Sequence, residues 1–344
     1  MSISRPAGSA VPAARMAVRI GPADVGRRVS VRTVATGSAA ATEAVGELMA
    51  WDGGTHGTLL VRRRDGAVES LQAAALVSGF VVAPGWGAYD LQAVAQQAWR
   101  PETAVPLGDW VLRWSGGVSG RADSSRVGAD PRTDVAGALA ATTAFYAERG
   151  GRPLLQTPEP SAYDADFEAA GWAVVRGVSV LVARAEARSG GGGSAEPGAL
   201  DVVVTVEPHP DADWIDAMDE AERVRPAVVG ILRRTAPAAY LIARGPDGAV
   251  VGIARAALAA GPGRRSRERW AVVTNVHTAP GARRRGVATA LMRTSAEWAH
   301  GQAAVGIALQ VLDGNDAALR LYAALGFDRH HHYVYRSPVP GDVP

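Results

Sequence analysis

The sequence predicts an α+β protein in three parts: a small all-β barrel, then two mixed regions related by an internal repeat. Three observations predict it. Residues 18–83 alternate short β-rich runs with turn signals. A glycine- and serine-rich stretch divides the remainder of the chain. The regions on either side of it share features in the same order at nearly one offset.

The barrel, 18–83, rests on period-two patterning. Val29 to Val34 alternates as a half-buried strand does, and Thr58 to Val61 runs into Arg64-Asp65-Gly66, where Asp-Gly marks a tight hairpin turn. Leu76 to Val82 reads as a further strand, and several short strands in so few residues suggest a small barrel. Residues 1–17 lack an apolar signal core and read as a disordered tail, with either Met1 or Met16 as the start.

Ser189 to Ser194, with four glycines between, followed by Pro197-Gly198, is a flexible linker by composition, spanning 188–199. It separates a middle region, 86–187, from a final one, 200–337, with a short tail at 338–344. Leu154-Leu155-Gln156-Thr157 matches Ala308-Leu309-Gln310-Val311, and Ala170-Gly171-Trp172 matches Leu325-Gly326-Phe327, at offsets of 154 and 155. The helical stretch from Val135 precedes the first pair as the stretch from Val287 precedes the second.

The final region reads strand, turn, helix, strand, helix, strand. Trp270 to Thr278 is a strand, Pro280 to Ala288 a small-residue turn, and Val287 to His300 a helix with Val287, Leu291, Ser295 and Trp298 on related faces. Ile307 to Leu312 is the next strand, and Asn315 to Leu325 the next helix, capped by Gly326. An Arg-x-x-Gly-x-Ala turn entering a helix lets backbone N–H groups converge at the positive end of the helix dipole, an anion site suited to a pyrophosphate. A nucleotide phosphate loop and a dinucleotide Gly-x-Gly-x-x-Gly are both absent.

Composition narrows the chemistry further. The chain has no cysteine, which removes disulfides, thiolate ligands and a cysteine nucleophile. It has no lysine either, which removes Schiff-base catalysis. Its net charge of +2 gives little footing for nucleic acid, and no apolar run approaches the ~20 residues of a membrane span. Neither partner is expected, and a cytoplasmic protein is. His330-His331-His332 invites a metal reading, but neighbours on a strand point to opposite faces, so no metal site is expected.

Val276-x-Thr278-x-Pro280-x-x-Arg283-x-x-Gly286-x-Ala288, followed by Asn315-x-x-Ala318-x-x-Leu321-Tyr322-x-x-Leu325-Gly326-Phe327, resembles the GNAT acetyltransferase superfamily over about 200–337. The resemblance implies a mixed central sheet with flanking helices, here as a tandem repeat whose first copy is degenerate. It implies acetyl-CoA as acetyl donor. The pyrophosphate would lie on the turn of Arg283, Arg284, Arg285, Gly286, Val287 and Ala288, and the pantetheine arm beside Val276, Thr278 and Asn315. Tyr322 would protonate the leaving thiolate. The family often has a carboxylate base before the loop, but Thr274 and Asn275 stand there, which leaves Glu268, Glu220 and Glu222 as candidates. Arg223, Arg225, Arg233 and Arg234 lie where the family builds its acceptor site; Arg225 and Arg233 are candidate clamps for substrate carboxylates. The residues alone leave plainer readings open: Arg283 to Arg285 as a solvated loop, Tyr322 as a core aromatic, Asn315 as a helix N-cap, the arginines as an exposed helix face.

The whole layout is similar to an actinobacterial group that joins a small Src-homology-type barrel to GNAT repeats. Arg27 to Arg32, Val61 to Gly66, and Trp114-Ser115-Gly116-Gly117 with Arg121-Ala122-Asp123-Ser124 carry that likeness. Some members are regarded as N-acetylglutamate synthases, which makes a small-molecule amine, with L-glutamate first, the implied acceptor, at the head of arginine biosynthesis. The alternatives are a histone-like protein acetyltransferase that recruits its target through the barrel, and an acyl-CoA-binding or interaction module without turnover. The first copy, on the repeat offsets, puts Arg132 at Gly286, Phe167 at Tyr322 and Pro160 or Ser161 at Asn315, so its chemistry is expected to be lost.

Overall fold

The computed structural model describes residues 18, 20–25, 28–34, 41–52, 57–63, 67–81, 86–185, 201–218 and 227–338. The chain divides into two compact units, Met1–Trp86 and Gly87–Pro344.

The first unit is a five-stranded antiparallel sheet: β1 Arg28–Val34, β2 Ala41–Asp52, β3 Thr58–Arg63, β4 Val68–Gln72 and β5 Leu76–Val81, in the order β4-β3-β2-β1-β5. Alternation sends Val29, Val31, Leu59 and Val61 inward, where they meet Ile20, Ala44 and Leu48 in one core. The small β-domain expected from the sequence is this five-stranded sheet around a single core; among the described residues its edge strands β4 and β5 do not pair. The Asp65-Gly66 turn lies outside the described residues, as do the 1–17 tail and the 188–199 linker.

The second unit holds both copies in one eleven-stranded sheet. The first copy runs α1 Ala88–Ala98, β6 Thr103–Leu107, β7 Trp110–Trp114, β8 Ser125–Arg126, α2 Val135–Ala147, β9 Leu155–Glu159, α3 Asp164–Ala169 and β10 Ala173–Ala183. The second runs β11 Val203–Glu207, α4 Ala212–Asp216, α5 Ala227–Arg233, β12 Ala238–Arg244, β13 Val250–Ala260, β14 Arg269–Thr278, α6 Val287–Gly301, β15 Gly306–Leu312, α7 Asp316–Ala324 and β16 Asp328–Ser337.

The sheet order is β11-β12-β13-β14-β15-β10-β16-β9-β8-β7-β6. The last strand of each copy has crossed into the other: β10 pairs with β15, and β16 with β9. A pseudo-two-fold axis passes between β10 and β16, and even their irregularities obey it. The register shifts place one extra residue at Val175 in β10 and one at His330 in β16, 155 positions apart. The copies are therefore one folded body, and the linker between them divides the sequence without dividing the sheet.

One face of the second half-sheet is covered by α6. Val287, Leu291, Ser295 and Ala299, each four apart, are buried, and the three apolar ones share a core with Leu241, Ala243, Ala254, Ala256, Val273 and Leu309. Each large apolar side chain so buried contributes about 1.5–3 kcal/mol. Close approach is possible because Gly252 lies beneath the helix start, where a Cβ would come within 2.7 Å of Val287 and 2.9 Å of the His277 carbonyl oxygen. The opposite face carries α4 and α5, and α1 of the first copy lies across β13 and β14.

Candidate active site

The site grows from a split in the sheet. Strands β14 and β15 are parallel and paired from Trp270↔Gly306 to Val273↔Leu309, and there the pairing ends. Beyond it β14 continues alone on that edge to Thr278, carrying Val276 and Thr278 along the opening. Against β13 the register slips between Ile253↔His277 and Arg255↔Thr274, and Asn275 takes φ 53°. This bulge re-aims the backbone beside the split.

The turn after β14 is built to expose amides. Pro280–Ala282 forms a single tight helical turn, Arg284 has φ 60°, and Gly286 has φ 82° as the N-cap of α6. The left-handed conformation at Gly286 favours glycine. The first backbone bond of the helix runs from the Ala290 amide to the Gly286 carbonyl at 3.0 Å. The amides from Arg284 to Ala288 have no acceptor among the described residues, as the first turn of a helix requires unless a ligand or cap provides one. Arg283, Arg284 and Arg285 are exposed. The Arg283 Nε donates to the Thr278 carbonyl at 3.4 Å, and Arg284 and Arg285 have no carboxylate partner among the described residues. These residues fit a pyrophosphate: charge, converging donors and a glycine where a side chain would intrude.

Asn315 precedes α7 and its side chain accepts from the Ala318 amide at 3.1 Å, so it is a helix N-cap. Its side-chain NH2 is not used by that bond. Tyr322 lies on α7, 6% exposed, with its ring 5.7 Å from that of Phe327 in an edge-to-face pair. Burial alone pushes its phenol up to about 12, so the hydroxyl keeps its proton across the neutral range. Gly326 at φ 78° closes the helix, with the Phe327 amide bonded back to the Tyr322 carbonyl at 3.0 Å.

Glu268 is not brought to this point. It lies just before β14, beside Arg265 at 3.6 Å. Six residues of strand, roughly 20 Å, separate it from Thr274 where the split opens. Arg233 is exposed at the end of α5, and Arg234 pairs with Glu102 at 3.7 Å. Glu220, Glu222, Arg223 and Arg225 lie outside the described residues.

The histidine triplet departs from strict alternation. His330 is the bulge residue, so its Nδ1 meets the Nδ1 of His331 at 2.9 Å. Burial first, then the neighbouring His330 and His332, pushes His331 down to about 4. His332 is held apart from them, 2.9 Å from Glu159 on one ring nitrogen and 2.9 Å from Asp313 on the other. Glu159 and Asp313 are equivalents across the pseudo-axis, so His332 ties the two copies together.

The face opposite α6 carries residues that the patterns did not single out as a site. Thr274 is buried and its hydroxyl has no partner among the described residues. Gln310, the first β15 residue beyond the paired stretch, accepts from the Tyr333 hydroxyl at 3.3 Å. Arg255, the cross-strand partner of Thr274, is fully buried. Its guanidinium donates to the carbonyls of Ala98 at 3.0 Å and Leu232 at 3.1 Å, and burial lowers its pKa. An arginine in the apolar run Val250–Ala260 is the signal that would have found it, since a charge is rarely fully buried without purpose.

Residues 89–336 match the family described as "Probable histone acetyltransferase Rv0428c C-terminal". The chain belongs to this family. A GCN5-related N-acetyltransferase from Kribbella flavida is similar in structure, with a TM-score of 0.51 and 20% sequence identity over 73% of this chain and 95% of that one. A tandem GNAT protein from the clavulanic acid biosynthesis pathway gives 0.49 and 16% over 73% and 89%. A putative GNAT-family acetyltransferase from Novosphingobium aromaticivorans gives 0.44 and 20% over 72% and 95%. No curated protein matches the sequence. At these identities the first of these likenesses shows the fold: GNAT, α+β, with the mixed sheet described above. Among the described residues no helix is long and apolar enough to cross a membrane.

Proposed function

We propose that this protein is an acetyl-CoA-dependent N-acetyltransferase with one working site, in the second copy. The observation that carries the reading is the run of unsatisfied amides from Arg284 to Ala288 around a left-handed Gly286, at the end of a strand that has parted from its neighbour. Acetyl-CoA bound there supplies the thioester. The turn and Arg283 to Arg285 hold its phosphates, and the free edge of β14 at Val276 and Thr278 orients its arm, with the Asn315 side chain beside it. The bulge at Asn275 presents backbone where charge develops on the acetyl oxygen, the kind of donor that stabilises a transition state. As the amine nitrogen forms its bond to the acetyl carbon and the carbon–sulfur bond breaks, Tyr322 would give its proton to the departing sulfur, and the proton shed by the nitrogen would return through solvent to restore the phenol. Its raised pKa makes it a weaker acid in water's terms, but the same burial raises the basicity of a thiolate formed beside it. Much of the rate comes from holding amine and thioester together.

The acceptor we propose is a small primary amine bearing a carboxylate, L-glutamate first. The charge of the face opposite α6 favours it, since Arg255 is buried there without a carboxylate among the described residues. A basic histone-like tail, which the family's description suggests, would meet like charge on that face. Free CoA release measured over a panel of amino acids, neutral amines and basic peptides tests the assignment. L-Glutamate is expected to be used best. Equal rates for a neutral amino acid would remove glutamate, preference for basic peptides would favour the protein-directed reading, and no turnover with any amine would leave a binding module.

A further inference from the structure

The segment Trp114 to Ser124 has no part in the cofactor turn, yet it is tightly built. The Asp123 carboxylate accepts from three backbone amides: Ser115 at 2.6 Å, Gly117 at 3.0 Å and Ser119 at 3.0 Å. Two residues earlier stands Arg121. Its guanidinium carbon lies 5.2 Å from the centre of the Trp99 ring, and that of Arg255 lies 5.8 Å from the same ring. Arg121 is also within electrostatic reach of the Tyr333 hydroxyl, which bonds Gln310.

The two arginines differ in what satisfies them. Arg255 is fully buried, its donors used by carbonyls and the Tyr240 hydroxyl. Arg121 is half-buried, and no carboxylate or carbonyl among the described residues accepts from it. Asp123, the nearest acid in sequence, is held by three backbone amides. Two cations around one indole, with no anion between them among the described residues, leave one fork of donors free on the face where Thr274 and Gln310 open beyond the last β14–β15 pair. Stacking on Trp99 holds that fork in place at little entropic cost.

We infer that the first copy supplies the acceptor side of the site: Arg121, presented by the Asp123-tied loop, binds a carboxylate of the amine that is acetylated. The inference rests on the acetyl-transfer reading above and names its specificity residue. The first copy then keeps a role after losing its own cofactor turn, and the exchange of β10 and β16 fixes its loop against the split in the second copy.

The test uses the full chain with saturating acetyl-CoA and matched probes: L-glutamate with L-glutamine and with its α-amide, L-aspartate with L-asparagine, and glycine with glycinamide. In at least one pair the acid is expected to exceed its amide at least 100-fold in kcat/KM. Arg121→Ala should erase most of that preference through KM, with a much smaller fall in kcat, and Arg121→Lys should restore part of it. Acetyl-CoA affinity by calorimetry, expected to stay within twofold, reports that the variant is folded. A preference that survives Arg121→Ala, or acids and amides used alike by the wild type, would overturn the inference while leaving acetyl transfer standing. No turnover with any amine would overturn both.

Discussion

The two copies share a scaffold and differ where a cofactor would meet it. In the second copy, Arg284 at φ 60° leads to Gly286 at φ 82°, and the amides of the first helical turn are left open. In the first, Arg132 also has φ 60°, and two residues later stands Asp134, the N-cap of α2. The structure thus pairs Gly286 with Asp134, where the repeat offset predicts Arg132; the spacing at the turn is 152 and not 154. Asp134 accepts from the Gly137 amide at 2.7 Å. The first copy carries its own anion at the position where the second leaves its amides open. At the end of the next helix, Phe167 stands for Tyr322, each with its carbonyl bonded by the aromatic residue five positions on, Trp172 or Phe327. The backbone of the repeat is the same in both copies, and the side chains at these positions differ.

Closing the open turn gives the largest expected effect. Gly286→Val forces a β-branched residue into a left-handed conformation, at a cost of about 1–3 kcal/mol. It also brings a side chain to the phosphates, and each charge-assisted amide bond lost removes roughly another 1.5–3 kcal/mol. Acetyl-CoA affinity by calorimetry should fall roughly 100- to 1000-fold, from a stoichiometry of one per chain. Unchanged affinity, or a second site that persists in the variant, would mean that the copies are not divided as described.

Tyr322→Phe makes the second copy resemble the first at the proton donor. The ring and its edge contact with Phe327 remain, so folding and cofactor affinity should change little. Turnover should fall on the order of 100-fold, the lower range for loss of a general acid, with acetyl-CoA binding within a few-fold of wild type. Steady-state CoA release beside calorimetry separates the two. Wild-type turnover would make Tyr322 a core aromatic and nothing more.

What was legible in the sequence was what local chemistry dictates. Glycine before an apolar-periodic helix marked the turn, and Asn315, Gly326 and the Leu-Gly-Phe end of α7 marked the second block. The repeat offset carried the pairing of Tyr322 with Phe167 into the structure without change. What was not legible depends on contacts distant in sequence. That β10 belongs beside β15 and β16 beside β9 arises from pairing across the linker, and no local pattern records it. Arg121 and Arg255 meet at Trp99 through three segments, so neither arginine alone looks like a site. Alternation also failed at His330, because a bulge is set by the partner strand.

Removing the internal anion of the first copy tests the comparison from its other side. Asp134→Ala deletes an N-cap, which costs about 0.5–2 kcal/mol, and in a unit of this size each kcal/mol lowers Tm by roughly 2–4 °C. The vacated helix end then has open amides, as the second copy has. It still lacks the glycine two residues after Arg132, and Asp130 remains beside it, its carboxylate accepting from the Arg132 amide at 2.7 Å. Acetyl-CoA should therefore still bind once per chain, since an anion-friendly helix end without a parted strand and a tyrosine is only part of a site. Small anions need less. Sulfate at tens of millimolar should raise the Tm of Asp134→Ala more than that of the wild type, because only the variant offers free amides at that end. The difference between the two, not the rise itself, is the readout, since sulfate stabilises most folded proteins. An equal rise in both would mean that the Asp134 carboxylate is a surface cap with no memory of a phosphate site. A second molecule of acetyl-CoA bound by the variant would mean that one carboxylate was all that separated the copies.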